Sequence, residues 1–146
     1  MSDKIYFISG HRNITDDEFI NNYAKVFNRI EITYLYQKAM NKIDDIDAPL
    51  YVVGDYDGVD ILSQNYLIDN LMVDPSRITV YHMGDYPQNY NSKIINLIGG
   101  FNCDEDRDAA MTNDSTDDIA FVRNHLELSG TAMNILRRKI LNKVYK

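Results

Sequence analysis

The chain has 146 residues with a formal net charge of −7, and 45% of its residues are hydrophobic. This length and composition predict one globular domain over residues 1–146, and the acidic balance disfavours binding to nucleic-acid polymers, which needs a basic face. No apolar run approaches the roughly 20 residues that span a bilayer, so we expect no interaction with a membrane.

Cys103 is the single cysteine, so no intramolecular disulfide can form. The N-terminal residues enter an apolar run directly and lack the charged, apolar and small-residue order of a signal peptide. Both features predict a cytoplasmic protein.

The first predicted strand is followed by a predicted long helix. Residues 4–8 form a continuous apolar run, which is typical of a strand buried on both faces of a parallel sheet. Thr15 and Glu18 form a capping box that marks a helix start. Apolar residues then recur at three- and four-residue steps through Ile43, which fits one long helix or two helices with a break near Asn28.

A second and a third strand are predicted after this helix. Residues 50–53 are a short apolar run that stops at Gly54, and Asp55-Tyr56-Asp57-Gly58 predicts a turn. Apolar residues on one face then predict a helix over residues 58–71. The β-branched and aromatic residues of 77–83 predict the third strand.

The next stretch is predicted to be a long loop followed by a short helix. Residues 84–100 carry proline, glycine, asparagine and tyrosine with little periodicity, and a connection of this length is typical of functional or mobile loops. Asn102 and Glu105 form an N-cap pair, which predicts a helix over residues 104–111.

The last part of the chain contains a predicted anion-binding turn. Residues 118–123 predict a fourth strand, and Ser129-Gly130-Thr131 opens an amphipathic helix over residues 132–144. The N–H groups of residues 130–132 and the positive end of this helix would converge on one point. Because glycine has no Cβ to obstruct a ligand, we expect a phosphate or carboxylate at this turn.

The order of the predicted elements is β-α-β-α-β-loop-α-β-α. This alternation predicts an α/β protein, a Rossmann-like three-layer fold with a mostly parallel sheet of four to five strands. Ligands of such sheets bind at the carboxyl ends of the strands. Small or charged residues follow three of the predicted strand ends, at residues 9–12, at residues 54–60, and at Arg123 together with residues 129–131.

Four short motifs accompany these strand ends: Ser9-Gly10-His11-Arg12, Gly58-Val59-Asp60, Arg107-Asp108-Ala109-Ala110-Met111 and Ser129-Gly130-Thr131-Ala132-Met133-Asn134. In this order they resemble the SLOG superfamily, the Rossmann-like group that includes the lysine-decarboxylase-like phosphoribohydrolases and the DprA-type proteins. The resemblance covers almost the whole chain and is nearest to the small stand-alone members of the group. It depends on the order and the placement of the motifs, since each of them alone is common.

The resemblance implies a protein that binds or senses a nucleotide or a nucleotide-derived small molecule. The phosphate would lie at the Gly-Thr turn, with the sugar and the base near the first two strand ends, and arginine side chains would supply positive charge. The residues expected to contact the ligand are Ser9, Gly10, His11, Arg12, Gly54, Gly58, Arg107, Arg123, Ser129, Gly130, Thr131 and Asn134.

Catalysis is an open alternative. The hydrolytic members carry the pattern Gly-Gly-x-Gly-Thr-x-x-Glu, in which the glutamate acts at an N-glycosidic bond, whereas this chain has Leu128 and Ser129 before Gly-Thr and Asn134 at the glutamate position. An amide cannot act as a nucleophile or a general base, so a nucleoside monophosphate hydrolase or a deoxyribosyltransferase-like enzyme would need Asp60 or Asp55 instead. A non-catalytic, homo-oligomerising structural homologue is the third alternative, and we expect the chain to form a homo-oligomer.

The sequence predicts no metal site and no cofactor. Asp55, Asp57 and Asp60 carry the oxygen ligands that Mg²⁺ prefers, but acidic residues around a turn are more often solvated. The three histidines are far apart in the sequence and have no neighbouring cysteine, which disfavours a zinc site.

Overall fold

A computed structural model describes residues 4–42, 44, 47–123 and 129–145. Ile43 and Leu128, which the sequence predictions include, lie outside these described residues. No helix within the described ranges is long and apolar enough to cross a bilayer.

The centre of the protein is a five-stranded sheet in which every pair of neighbouring strands is parallel, in the order β4-β3-β2-β1-β5. This sheet, with helices on its faces, confirms the predicted α/β, Rossmann-like three-layer fold. The strands are β1 (Ile5–Ile8), β2 (Leu50–Val53), β3 (Ile78–Met83), β4 (Asn96–Phe101) and β5 (Asp117–Ile119).

The strand order reverses direction at β1. The chain steps outward from β1 through β2 and β3 to β4, and then returns to place β5 on the other side of β1. The carboxyl ends of β1 and β5 therefore form a topological switch point, where the loops leaving the two strands diverge and open a crevice.

The first helical region is continuous and begins where the capping box predicts. Thr15 caps α1 (Asp16–Phe19), which runs through a π-helical segment (Ile20–Ala24) into α2 (Lys25–Ala39). Asn28 lies inside α2, so the alternative with one long helix is correct. The Thr15 hydroxyl accepts the Glu18 N–H, which satisfies one of the free donors at the helix start.

Helices cover both faces of the sheet. The region from α1 to α2 and α3 (Val59–Asn65) covers one face, where Ile8, Val53 and Val80 point. On the other face Phe7, Val52 and Tyr81 pack against α4 (Asp104–Asn113), and α5 (Gly130–Tyr145) packs against α4 and β5. Alternate residues of each strand thus enter opposite cores, as in parallel sheets buried on both sides.

Part of the predicted loop 84–100 is a strand, which corrects the prediction. β4 pairs in parallel with β3, with Asn96 opposite Thr79 and Leu97 opposite Val80. The pairing uses backbone groups from distant parts of the chain, and the two glycines at positions 99 and 100 hide the strand pattern in the sequence.

The fourth predicted strand is shorter than expected, and the helix after β4 starts without the predicted cap. β5 ends at Ile119, because the Phe121 N–H donates to the Tyr23 hydroxyl (3.1 Å) instead of to a neighbouring strand. The N-cap position of α4 is Cys103 and not Asn102, and no side chain caps it.

Candidate functional site

A cavity of about 260 Å³ lies at the carboxyl ends of β1 and β2, beside the N-termini of α4 and α5. Residues 9–12, residues 54–60 and residues 129–131 all contribute to its wall, so the three predicted junctions open onto one space. Its polar lining residues are Ser9, His11, Arg12, Tyr56, Asp60, Asp104, Arg107, Asp108, Ser129, Thr131 and Asn134.

The turn before α5 presents the start of a helix to this cavity. The Ser129 hydroxyl accepts the Ala132 N–H at 3.1 Å, so Ser129 caps the helix and that donor is not available to a ligand, contrary to the prediction. The N–H groups of Gly130 and Thr131 stand at positions that have no partner within a helix. A Cβ at Gly130 would meet no atom within 4 Å, so the space above the turn is open.

Two polar atoms of the β1 loop are buried without a partner. Among the described residues, Ser9 Oγ and His11 Nε2 are inaccessible to solvent and make no hydrogen bond. Ser9 itself is only 7% exposed and lines the cavity together with His11. Buried polar groups are normally satisfied, and the described residues hold two further unpartnered atoms away from this cavity, Ser63 Oγ and Arg138 Nε.

Asp60 is the buried carboxyl of the cavity. It is 8% exposed and accepts the Tyr56 N–H at 3.2 Å. Burial raises the pKa of this carboxyl to about 7, while the Tyr56 hydrogen bond and the nearby Arg107 guanidinium act in the opposite direction. A group that changes its protonation near neutral pH can accept or donate a proton there.

Arg107 is fixed at the base of the cavity by two carboxylates. Its Nη1 donates to Asp55 Oδ1 at 3.1 Å, and its Nη2 and Nε donate to Asp108 Oδ1 at 3.2 and 3.3 Å. Arg107 is 4% exposed, so its charge is held in place by these two carboxylate partners. Arg107 lines the cavity, whereas Asp55, one of its two carboxylate partners, does not.

Tyr56 joins the two arginines of the cavity. The guanidinium carbon of Arg12 lies 3.7 Å from the centroid of its ring, and that of Arg107 lies 4.3 Å from it. The Tyr56 hydroxyl donates to Asp104, which also faces Arg12 at 3.7 Å. The sequence predictions placed Tyr56 only in a turn and did not include Asp104 among the site residues. The only sequence signal was an aromatic residue between two aspartates directly after a strand.

Asn134 occupies the first turns of α5 beside Asp108. Its Oδ1 accepts from Arg137 Nη1 at 2.6 Å, and both Asn134 and Asp108 line the cavity. Burial raises the pKa of Asp108, and the nearby Arg107 guanidinium and Asn134 amide counteract that shift.

Two predicted ligand-binding residues do not line the cavity. Arg123 Nε donates to Glu18 Oε2 at 2.7 Å and its Nη1 to Asn13, so its charge is engaged elsewhere. Gly58 has φ +79°, and a Cβ there would stand 2.3 Å from the Arg12 carbonyl oxygen. Glycine is therefore needed at position 58 to bring the β1 and β2 loops together and not to approach a ligand.

No set of three or more His, Cys, Asp or Glu side chains among the described residues is placed to hold a metal ion. The carboxyl of Asp55 accepts the Gln88 N–H at 2.7 Å as well as Arg107, and Asp57 accepts from Asn89 at 3.2 Å. The three aspartates considered for Mg²⁺ therefore have separate partners.

No protein-family model matches the chain, and neither a curated protein nor a solved structure is significantly similar to it. The resemblance to the SLOG superfamily therefore stays a prediction from the sequence motifs.

Proposed function

We propose that this protein binds a nucleotide or a nucleotide-derived small molecule in the cavity at the carboxyl ends of β1 and β2, with the phosphate at the Ser129-Gly130-Thr131 turn. The observation that supports the proposal best is that separate parts of the chain meet around one cavity. The open turn of Gly130, the β1 loop residues Ser9 and His11 and the buried carboxyl of Asp60 all border the same 260 Å³ space.

The charges of the cavity favour a ligand with one small anionic group and several hydrogen-bond donors. Three carboxyls line the cavity against two guanidiniums, and both guanidiniums already face carboxylates. The partial positive charge at the N-terminus of α5 is then what remains available to an anion. Sugar hydroxyls and base amines would donate to the carboxyls of Asp60, Asp104 and Asp108.

The size of the cavity is consistent with such a ligand. Its volume of about 260 Å³ is slightly below the roughly 300–1,000 Å³ typical of small-molecule sites. A compact nucleotide or a sugar phosphate suits this volume better than a dinucleotide does.

Hydrolysis of an N-glycosidic bond is the second candidate function, and the environment of Asp60 favours it. A carboxyl whose pKa is raised to about 7 can protonate a departing base at neutral pH. Asp55, the other predicted catalytic carboxylate, is held by Arg107 behind the cavity, so Asp60 is the residue that we assign to this role.

A thermal-shift panel of AMP, CMP, deoxynucleoside monophosphates, ADP-ribose and cyclic dinucleotides tests the binding proposal. A ligand at a hundredfold excess over its Kd stabilises the native state by about 2.7 kcal/mol. We expect this stabilisation for at least one member of the panel, and its loss in Gly130→Val. If no member stabilises the protein, the proposal is wrong and the structural homologue is the better description.

Release of free base from the bound nucleotide separates hydrolysis from binding. Asp60→Asn should abolish the release while the nucleotide still stabilises the variant. A nucleotide that binds and stays intact for hours with the wild-type protein would leave binding or sensing as the function and exclude the hydrolase.

A further inference from the structure

Asp60 is a buried carboxyl without a cationic partner. It is 8% exposed, and among the described residues it accepts a single hydrogen bond, from the Tyr56 N–H at 3.2 Å. No lysine, arginine or histidine nitrogen of the described chain lies within the 4 Å of an ion pair with its oxygens. Because a buried carboxylate without an ion pair is costly, this environment favours the neutral carboxyl.

The guanidinium that acts on Asp60 from α4 is engaged by other carboxylates. Arg107 Nη1 donates to Asp55 at 3.1 Å, and its Nη2 donates to Asp108 at 3.2 Å. These two carboxylates also act on Asp60, and their negative charge opposes the effect of Arg107 on it. The α4 side of the cavity therefore holds more negative than positive charge around Asp60.

The other titratable groups near Asp60 do not supply the missing cation. Tyr23 is the titratable residue that acts on it from the π-helical segment, and burial raises the pKa of this phenol to about 12, so it is uncharged at neutral pH. His11 and Arg12 line the cavity from the β1 loop, and Arg12 faces Asp104 at 3.7 Å. Neither guanidinium of the cavity is thus paired with Asp60.

Asp60 shares its cavity with the turn at which we propose a phosphate. Asp60 and residues 129–131 line one space of about 260 Å³. An anion at this turn and an ionised Asp60 would repel each other, and charges are screened less in such a site than in water. A bound phosphate therefore makes the ionisation of Asp60 less favourable.

On the basis of the proposed function, we infer that phosphate binding is coupled to protonation of Asp60, so that the protein binds its nucleotide most tightly when Asp60 is neutral. Such coupling is reciprocal: the anion promotes uptake of a proton, and the proton promotes binding of the anion. Since the pKa of the free carboxyl is about 7, the affinity falls as the pH rises through neutrality.

Calorimetric titration at pH 6 and pH 8 tests this coupling, with AMP or the member of the nucleotide panel that stabilises the protein most. The phosphate of AMP itself titrates at about pH 6, so the wild-type protein is compared with Asp60→Asn. We expect the Kd of the wild-type protein to rise about five- to tenfold more than that of the variant between these pH values.

Asp104→Asn is the matched control variant. Asp104 lines the same cavity, but its side chain is 51% exposed and faces Arg12. We expect this variant to keep the pH dependence of the wild-type protein. If Asp104→Asn removed the pH dependence and Asp60→Asn kept it, the coupling would not belong to Asp60.

Proton uptake is a second measure that does not require a variant to fold. Titrations at pH 7 in two buffers with different ionisation enthalpies give the number of protons that the protein takes up for each nucleotide bound. We expect about half a proton for the wild-type protein, because Asp60 is half ionised before the nucleotide binds and largely neutral afterwards.

Two outcomes would overturn the inference and leave the proposed function intact. They are nucleotide binding with the same pH dependence in the wild-type protein and Asp60→Asn, and nucleotide binding without proton uptake at pH 7. If no nucleotide of the panel binds, or if Gly130→Val binds it equally well, the proposed function is wrong and the inference fails with it.

Discussion

Asp60 Oδ2 stands 2.5 Å from the position that a Cβ on Gly54 would occupy. The absence of a side chain at the end of β2 is therefore what lets the carboxyl of Asp60 fold back beneath the strand end and face the cavity. Gly54 and Asp60 were both predicted as site residues, but the structure shows that one makes room for the other.

Gly54→Ala is expected to destabilise the protein by about 1–3 kcal/mol, because the added methyl group must displace a buried carboxyl. Urea unfolding measures the effect. Gly130→Ala is the control, since a Cβ at that position meets no atom within 4 Å. Equal stability of Gly54→Ala and the wild-type protein would show that Asp60 does not lie beneath the end of β2.

Ser9→Ala is expected to separate binding from stability. Ser9 Oγ is buried without a hydrogen-bond partner, so its removal should leave the free energy of unfolding unchanged or raise it by up to about 1 kcal/mol. The same variant should respond less than the wild-type protein to the stabilising nucleotide in a thermal shift. A clear loss of stability without ligand would mean that the hydroxyl has a structural partner.

The stability of the protein should depend on pH through Asp60. The pKa of its carboxyl is about 7 in the folded protein against an ordinary value of 3.8, so between pH 3.8 and pH 7 the native state holds a proton that the unfolded chain has lost. The native state then binds more protons, and the free energy of unfolding falls as the pH rises through this interval. The loss in the free energy of unfolding is absent below pH 3.8 and complete above about pH 7.

Asp60→Asn removes this titration and keeps an oxygen that can accept the Tyr56 N–H. The stability of the wild-type protein relative to the variant should fall by roughly 2–4 kcal/mol between pH 5 and pH 8. Chemical unfolding at several pH values measures the difference, with the exposed Asp85→Asn as the control. A difference that is constant with pH would contradict the raised pKa.

A buried polar network beneath α2 should matter for folding and not for the cavity. Arg77 Nη1 and Nη2 donate to the two oxygens of Glu31 at 2.9 and 2.6 Å, and the Tyr51 hydroxyl donates to Glu31 at 2.6 Å. Glu31→Ala leaves Arg77 without its carboxylate partner and should cost about 3–5 kcal/mol. Tyr51→Phe removes one hydrogen bond and should cost about 1 kcal/mol.

Urea unfolding of the two variants gives both values, and ligand binding of the folded fraction should be unchanged. A smaller loss in Glu31→Ala than in Tyr51→Phe would show that the ion pair does not hold Arg77 as described.

The elements that the sequence predicted well are those with local signals. The capping box of Thr15 and Glu18 and the apolar runs of β1 and β2 are found where they were expected. The convergence of residues 9–12 and 129–131 also followed from the sequence, because carboxyl ends of parallel strands share one edge of the sheet.

The features that the sequence did not show depend on contacts between distant residues. β4 exists because its backbone pairs with β3, and β5 ends early because Tyr23 takes the hydrogen bond of Phe121. Arg123 pairs with Glu18, although it follows the end of β5 and was expected at the phosphate. Side-chain partners of this kind have no periodicity or motif that a single sequence would reveal.

The most direct test of the nucleotide site is a titration of ¹⁵N-labelled protein with AMP, or with the nucleotide that stabilises it most, followed by amide chemical shifts. We expect the largest downfield changes at the N–H groups of Gly130 and Thr131, with smaller changes at residues 9–12, and none of them in Gly130→Val. Shift changes confined to other parts of the molecule, or no change at millimolar nucleotide, would contradict the assignment of a phosphate to this turn.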